Sequence, residues 1–140
     1  MMNKYCDIFD ELTTSMLCRG KRADNGEWVE GYFAYKPNDN AVDPTNAGCY
    51  IFNYKVLDWN LTVREETEVI PESVGRFTGL FDKKKRKIFE RSKVNCKMAN
   101  CILFDYEVRY KPEIAGFVIS KGKEFYRMSK VFEYEIVETP

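Results

Sequence analysis

Val74-Gly75-Arg76-Phe77-Thr78-Gly79-Leu80-Phe81, Asp82-Lys83-Lys84-Lys85-Arg86-Lys87 and Ile88-Phe89-Glu90-Arg91-Ser92-Lys93-Val94 follow one another without a break. Two stretches rich in aromatic and branched residues flank a short cationic hinge, so the residue types predict a strand at 74–81, a turn, and a strand at 87–94. Strands this short need neighbours to bury a face. The flanking sequence supplies them.

Upstream, residues 61–69 alternate apolar and charged side chains before Pro71, which ends or interrupts a strand. Residues 49–57 are apolar and aromatic and read as another strand. Between 36 and 48 lie Pro37, Asn38, Asp39, Asn40, Asp43, Pro44, Asn46 and Gly48, the composition of an exposed loop. Further back, Asp24-Asn25-Gly26 separates strand-like runs at 16–23 and 27–35, which predicts a hairpin closed by a type I′ turn. Tyr5, Ile8, Phe9 and Leu12 have the spacing of one helical face, so a short N-terminal helix or a frayed end is expected, with 1–15 peripheral.

Downstream, Ile102, Phe104, Tyr106 and Val108 alternate, predicting a strand with these four on one face. Lys111-Pro112-Glu113 reads as a turn. Runs at 117–119, 125–128 and 131–137 complete the series, the last with Phe132, Tyr134 and Ile136 opposite Val131, Glu133, Glu135 and Val137. Many short strands with turns between them predict a mainly β chain, at most a β-rich α+β one: a small antiparallel barrel or sandwich. The 140 residues fit one domain, 1–140, and no Pro/Ser linker divides them.

Composition excludes several chemistries. The chain has no histidine, which removes Ser-His-Asp and Cys-His catalysis and His-containing metal sites. Cys6, Cys18, Cys49, Cys96 and Cys101 are irregularly spaced without a Cys-x-x-Cys pair, and read as small buried apolar thiols. Gly75 and Gly79 are not followed by the Lys-Ser/Thr of a phosphate loop. Glu65-Glu66 reads as a solvated strand or loop face, and Trp28 and Trp59 as partly buried anchors. No catalytic constellation, cofactor or metal is expected. Without a long apolar run or an apolar leader, the expected location is the cytoplasm, and the sequon at Asn60 is read as chance.

The 22 basic and 22 acidic side chains balance, yet they are not evenly spread. Residues 1–81 hold eight basic and thirteen acidic residues, whereas 82–97 hold eight basic and two acidic. Lys83, Lys84, Lys85, Arg86, Lys87, Arg91, Lys93 and Lys97 are therefore the candidate contact for nucleic acid or an acidic partner. The competing reading is a solvated hairpin tip that keeps a sheet edge from pairing.

The stretch Val69-Ile70-Pro71-Glu72, Val74-Gly75, Phe77-Thr78-Gly79-Leu80, Asp82-Lys83, Ile88-Phe89-Glu90 and Val94 resembles the hallmark of the YopX-like family of phage and prophage proteins. Arg19-Gly20-Lys21-Arg22-Ala23-Asp24-Asn25-Gly26-Glu27-Trp28-Val29-Glu30-Gly31 resembles that family's opening segment. The resemblance assigns structural roles to Asn25, Gly26, Trp28, Gly31, Pro71, Gly75, Phe77, Thr78, Gly79, Leu80, Asp82 and Ile88. It departs where the family has Asn-Gly and this chain has Lys84-Lys85, and where the family has Gly-Asp-Ile and this chain has Arg91-Ser92-Lys93. Losing the turn glycine predicts a longer turn or one of another type. The resemblance implies a phage-derived accessory protein without assigned activity in a bacterial host cell. It would act by contact with itself, as a homo-oligomer, or with another protein, with nucleic acid as the alternative partner.

Overall fold

The computed structural model describes residues 16–36 and 48–137. The expected N-terminal helix and most of the 36–48 loop lie outside these residues. The chain is mainly β, as its residue types predict, with antiparallel strands and two single 3-10 turns among the described residues. Among the described residues the strand orders are open at both ends, and no closed barrel forms. It divides into two compact units, Met1–Arg76 and Phe77–Pro140, and the division falls inside a strand rather than at a linker.

The first unit is an antiparallel meander. Its strands are β1 (Leu17–Lys21), β2 (Trp28–Lys36), β3 (Gly48–Asp58) and β4 (Leu61–Val69), ordered β4-β3-β2-β1. Gly75 and Arg76, the first residues of β5 (Gly75–Phe81), pair with Arg19 and Cys18 outside β1. One end of β4 returns to β1: Val69 bridges Arg22, and Ile70 N–H donates to the Lys21 carbonyl at 2.8 Å. Ser73 fastens the same corner, its hydroxyl accepting from Lys21 N–H at 2.7 Å. Cys18, Ile51 and Val69 form the buried core, with Val29, Cys49 and Val74 packed on it. Gly31 is required by close approach, since a Cβ there would lie 2.6 Å from the Phe52 carbonyl oxygen.

The predicted hairpin at Asn25-Gly26 forms, but not through a type I′ turn. Gly26 has φ 75°, and Asn25 is not among the positive-φ residues. Residues 23–26 make a four-residue loop closed by Arg22 N–H to the Glu27 carbonyl, 2.8 Å. Polar side chains stabilise it: Asn25 Oδ1 accepts from Glu27 N–H at 2.9 Å, and Arg22 grips Asp24 through two hydrogen bonds.

The second unit pairs the end of β5 with β6 (Lys87–Phe89) and builds a separate five-stranded sheet. That sheet contains β7 (Lys93–Lys97), β8 (Ile102–Lys111), β9 (Gly116–Lys121), β10 (Glu124–Arg127) and β11 (Glu133–Ile136), ordered β10-β9-β8-β7-β11. Ile88, Val94, Cys96, Tyr106, Val108, Ile119 and Tyr134 make its core. Each full burial of an aliphatic or aromatic side chain contributes roughly 1.5–3 kcal/mol. The alternation of β11 puts Tyr134 in the core, with Phe132 and Ile136 packed against it, as expected.

Two expectations for this unit are corrected. Residues 87–94 are two strands, because Arg91 takes φ 73° and turns the chain between β6 and β7. Nor do Ile102, Phe104, Tyr106 and Val108 share a face. Two residues, Phe104 and Asp105, stand opposite the single Asn95, and Asp105 has φ 62°. This bulge shifts the alternation. Leu103 then packs on the core while Ile102 and Phe104 are 53% and 60% exposed.

Candidate functional site: the basic turn and the β3–β4 tip

The hinge between β5 and β6 is organised by Asp82 rather than by its cations. Asp82 N–H donates to the Arg86 carbonyl, and Lys85 N–H donates to the Asp82 carbonyl, both at 2.9 Å. Lys85 follows with φ 64°. This is the three-residue hairpin loop in which a type I turn precedes a left-handed residue, a place usually given to glycine. The loss of glycine has therefore not lengthened the turn: lysine occupies the left-handed position.

The Asp82 carboxylate is buried beneath this loop. Oδ1 accepts from Lys84 N–H at 3.0 Å and Arg86 N–H at 2.8 Å, and Oδ2 accepts from Arg86 Nε at 3.0 Å. Ile136 N–H approaches the same Oδ2 at 3.4 Å. Burial pushes the carboxyl pKa up, but these donors and the guanidinium outweigh it and hold Asp82 below the ordinary carboxylate range.

Behind the loop, β5 carries a second device. Thr78 Oγ1 donates to the Ile88 carbonyl at 2.8 Å and accepts from Leu80 N–H at 3.1 Å. It fills the gap where residues 78–80 stand opposite Ile88 alone, and Gly79 at φ 83° makes that bulge. Phe77, Phe81 and Phe89 stack beside it, with centroids 5.5–5.6 Å apart in the two contacting pairs.

The eight cations singled out in the sequence do not form one patch. Arg86 is half-buried and committed to Asp82. Lys83 Nζ pairs with Glu135 at 2.9 Å, which raises the lysine pKa and lowers that of the glutamate. Lys97 is the register partner of Glu133 on β11, and Lys93 that of Glu107 on β8. Lys84, Lys85, Lys87 and Arg91 are exposed. A depression of about 200 Å³ beside the turn is lined by Lys83 and Lys97 against Glu133 and Glu135, with Ile102 and Phe104. Its charges cancel.

Among the described residues, no three Cys, Asp or Glu side chains gather as a metal site would require. Cys18 and Cys96 are buried as expected, whereas Cys49 is half-buried and Cys101 exposed. Burial and the neighbouring Cys101 push the Cys96 thiol up to about 11, against a hydrogen bond with Tyr134 that pulls the other way. At neutral pH Cys96 is a protonated thiol packed in the core. Glu65 and Glu66 lie on β4 and pair with Lys55, Lys36 and Arg64.

The feature that residue types did not reveal is the far end of the β3–β4 hairpin. Tyr54, Val56, Leu57, Trp59 and Leu61 are 63%, 70%, 55%, 89% and 50% exposed. Register continues through Val56↔Thr62 to Asp58↔Leu61, so the tip is a paired ribbon with solvent on both faces. Trp59 is thus no buried anchor. Trp28 is 47% exposed, and the Arg19 guanidinium lies 4.0 Å over its ring. Alternating apolar residues at 54–61 cannot by themselves say whether a sheet covers them. Here only the β2-paired half of β3 is covered.

Comparison with known proteins returns no matching family model, no matching curated protein and no matching solved structure.

Proposed function

We propose that this chain is a YopX-like phage or prophage accessory protein that acts by self-association, without chemistry of its own, using the tip of the β3–β4 hairpin. The observation that carries the reading is the exposure of Trp59, Val56, Leu57 and Leu61 together at the end of one ribbon. Large apolar side chains exposed together in this way mark a contact site. A second copy is the favoured occupant on charge. Residues 1–76 carry eight basic and thirteen acidic side chains, a net of −5, while 77–140 carry fourteen basic and nine acidic, a net of +5. One copy's acidic half attracts another's basic half.

The family reading is supported by the backbone. The two positions where this chain replaces the family's glycines, Lys85 and Arg91, both have positive φ, 64° and 73°. Gly26 and Gly79, which match the family pattern, also have positive φ, and Gly31, which matches it too, sits against the Phe52 carbonyl. The alternative, nucleic acid held by the basic turn, has less support, because Asp82, Glu133 and Glu135 already oppose much of its charge.

Size-exclusion chromatography with light scattering tests the reading. Wild-type protein is expected to show a mass that rises with concentration, and Leu57→Ser/Trp59→Ser to remain monomeric with an unchanged melting temperature. Turnover of a small molecule by the pure protein would overturn the non-enzymatic part of the proposal.

A further inference from the structure

We propose that the face of the second unit formed by β7, β8, β9 and β10 is a groove for single-stranded nucleic acid. This site is separate from the basic turn and from the β3–β4 tip. A concavity of about 740 Å³ lies there, and Lys93, Arg109, Lys111, Lys121 and Lys123 all line it, with Phe125 among them.

The strand period makes this convergence. Tyr106 and Val108 are buried in the core, so Glu107, Arg109 and Lys111 project from the other face of β8. Register extends that face sideways: Lys93 lies opposite Glu107, Glu107 opposite Ser120, and Ser120 opposite Phe125. The tight turn after β9, with Gly122 at φ 61°, adds Lys123 at the rim.

Charge separates this groove from the depression beside the basic turn. Its carboxylates are Asp105, Glu107 and Glu124, three against five cations, a net of +2. Some of these groups already have partners: Arg109 donates to Glu107 at 2.7 Å, Lys121 to the Phe104 carbonyl at 3.2 Å, and the Tyr106 hydroxyl to Glu124 at 2.7 Å, none of which changes the net charge. The depression at the turn opposes two cations with two carboxylates.

An exposed ring decides between polyanions. Phe125 is 45% exposed, and the Lys111 ammonium stands 3.9 Å over its centroid. A base that takes the ammonium's place over the ring leaves Lys111 to meet a phosphate, the pairing by which single strands are held without sequence preference. An acidic protein surface has no use for the ring. A duplex presents no unstacked base to it.

Fluorescence anisotropy with a labelled oligothymidine of about 20 nucleotides tests the proposal, the length exceeding the ~4–16 nucleotides such faces usually cover. Binding is expected at 50 mM salt, to weaken steeply by 200 mM, with a log–log slope of about −2 to −3.5 for three to five phosphate contacts. Arg109→Gln/Lys111→Gln/Lys123→Gln should lower affinity at least tenfold and flatten the slope. Phe125→Ala should lower affinity about tenfold with the slope kept. Lys84→Gln/Lys85→Gln should change affinity less than twofold. The proposal is overturned by no binding at 50 mM salt, by a triple variant that binds like wild type at an equal melting temperature, or by a turn variant that loses as much as the triple. Equal affinity for polyglutamate, with no loss in Phe125→Ala, would also overturn it and assign the groove to an acidic protein.

Discussion

Lys85→Gly should stabilise this protein, although it replaces a residue on a well-formed loop. Lys85 holds φ 64°, where a side chain's Cβ crowds the following carbonyl at a cost of roughly 1–2 kcal/mol. Glycine removes that cost, but its freer unfolded chain returns about 0.5–1 kcal/mol. The difference predicts a gain of about 0.5–1 kcal/mol. The Lys85 N–H bond to the Asp82 carbonyl survives the change, because it uses the backbone. For a chain of this size the gain corresponds to about 2–4 °C in melting temperature. Removing a cation from five consecutive ones also relieves repulsion, and a control separates the two effects. Lys85→Ala removes the charge but keeps Cβ, so it should gain little, and nothing at 1 M salt, where exposed charges are screened within about 3 Å. Urea melts of wild type, Lys85→Gly and Lys85→Ala read the result. A glycine variant no more stable than the alanine variant at high salt would refute the left-handed geometry.

Other expectations follow from the same unit and its neighbour. Asp82→Ala removes the acceptor of three backbone donors and of Arg86 Nε, and should cost about 2–4 kcal/mol in a denaturant melt. Asp82 and Glu135 are held below their ordinary pKa values, so their contribution is complete above about pH 4–5 and is lost as pH falls through the lowered folded values. Melts from pH 6 to pH 2 should therefore show declining stability, with a shallower decline in Asp82→Asn. Thr78→Val removes both bonds across the β5 bulge and should cost about 1–3 kcal/mol, measured the same way. Gly31→Ala drives a methyl into the Phe52 carbonyl and should destabilise the first unit by about 1–3 kcal/mol, visible as lost amide protection in β2 and β3.

The strands at 61–69 and 133–136 were legible because alternation and turn residues agree with what the sheets bury. The break at Arg91 was not, because arginine at positive φ sends no local signal. The bulge at Asp105 was half-signalled, aspartate being tolerant of the left-handed region. Charge counting located the cationic hinge but could not see that Glu135, far along the chain, closes on Lys83. Nor could it see that Arg86 folds onto Asp82, or that Arg109, Lys111 and Lys123 converge with Lys93. These juxtapositions are set by strand order, which residue types do not encode locally.

The claim on which the account rests is that the β3–β4 tip is buried by another copy. Trp28→Phe leaves Trp59 as the sole tryptophan, at the tip and 89% exposed in the isolated chain. Its emission and acrylamide quenching, followed over a dilution series beside sedimentation velocity, report the contact directly. The account predicts a blue-shifted, protected Trp59 at high concentration that becomes red-shifted and freely quenched as the assembly dissociates. A Trp59 that stays fully quenchable while the protein is assembled, or a protein that is monomeric at every concentration, would contradict it.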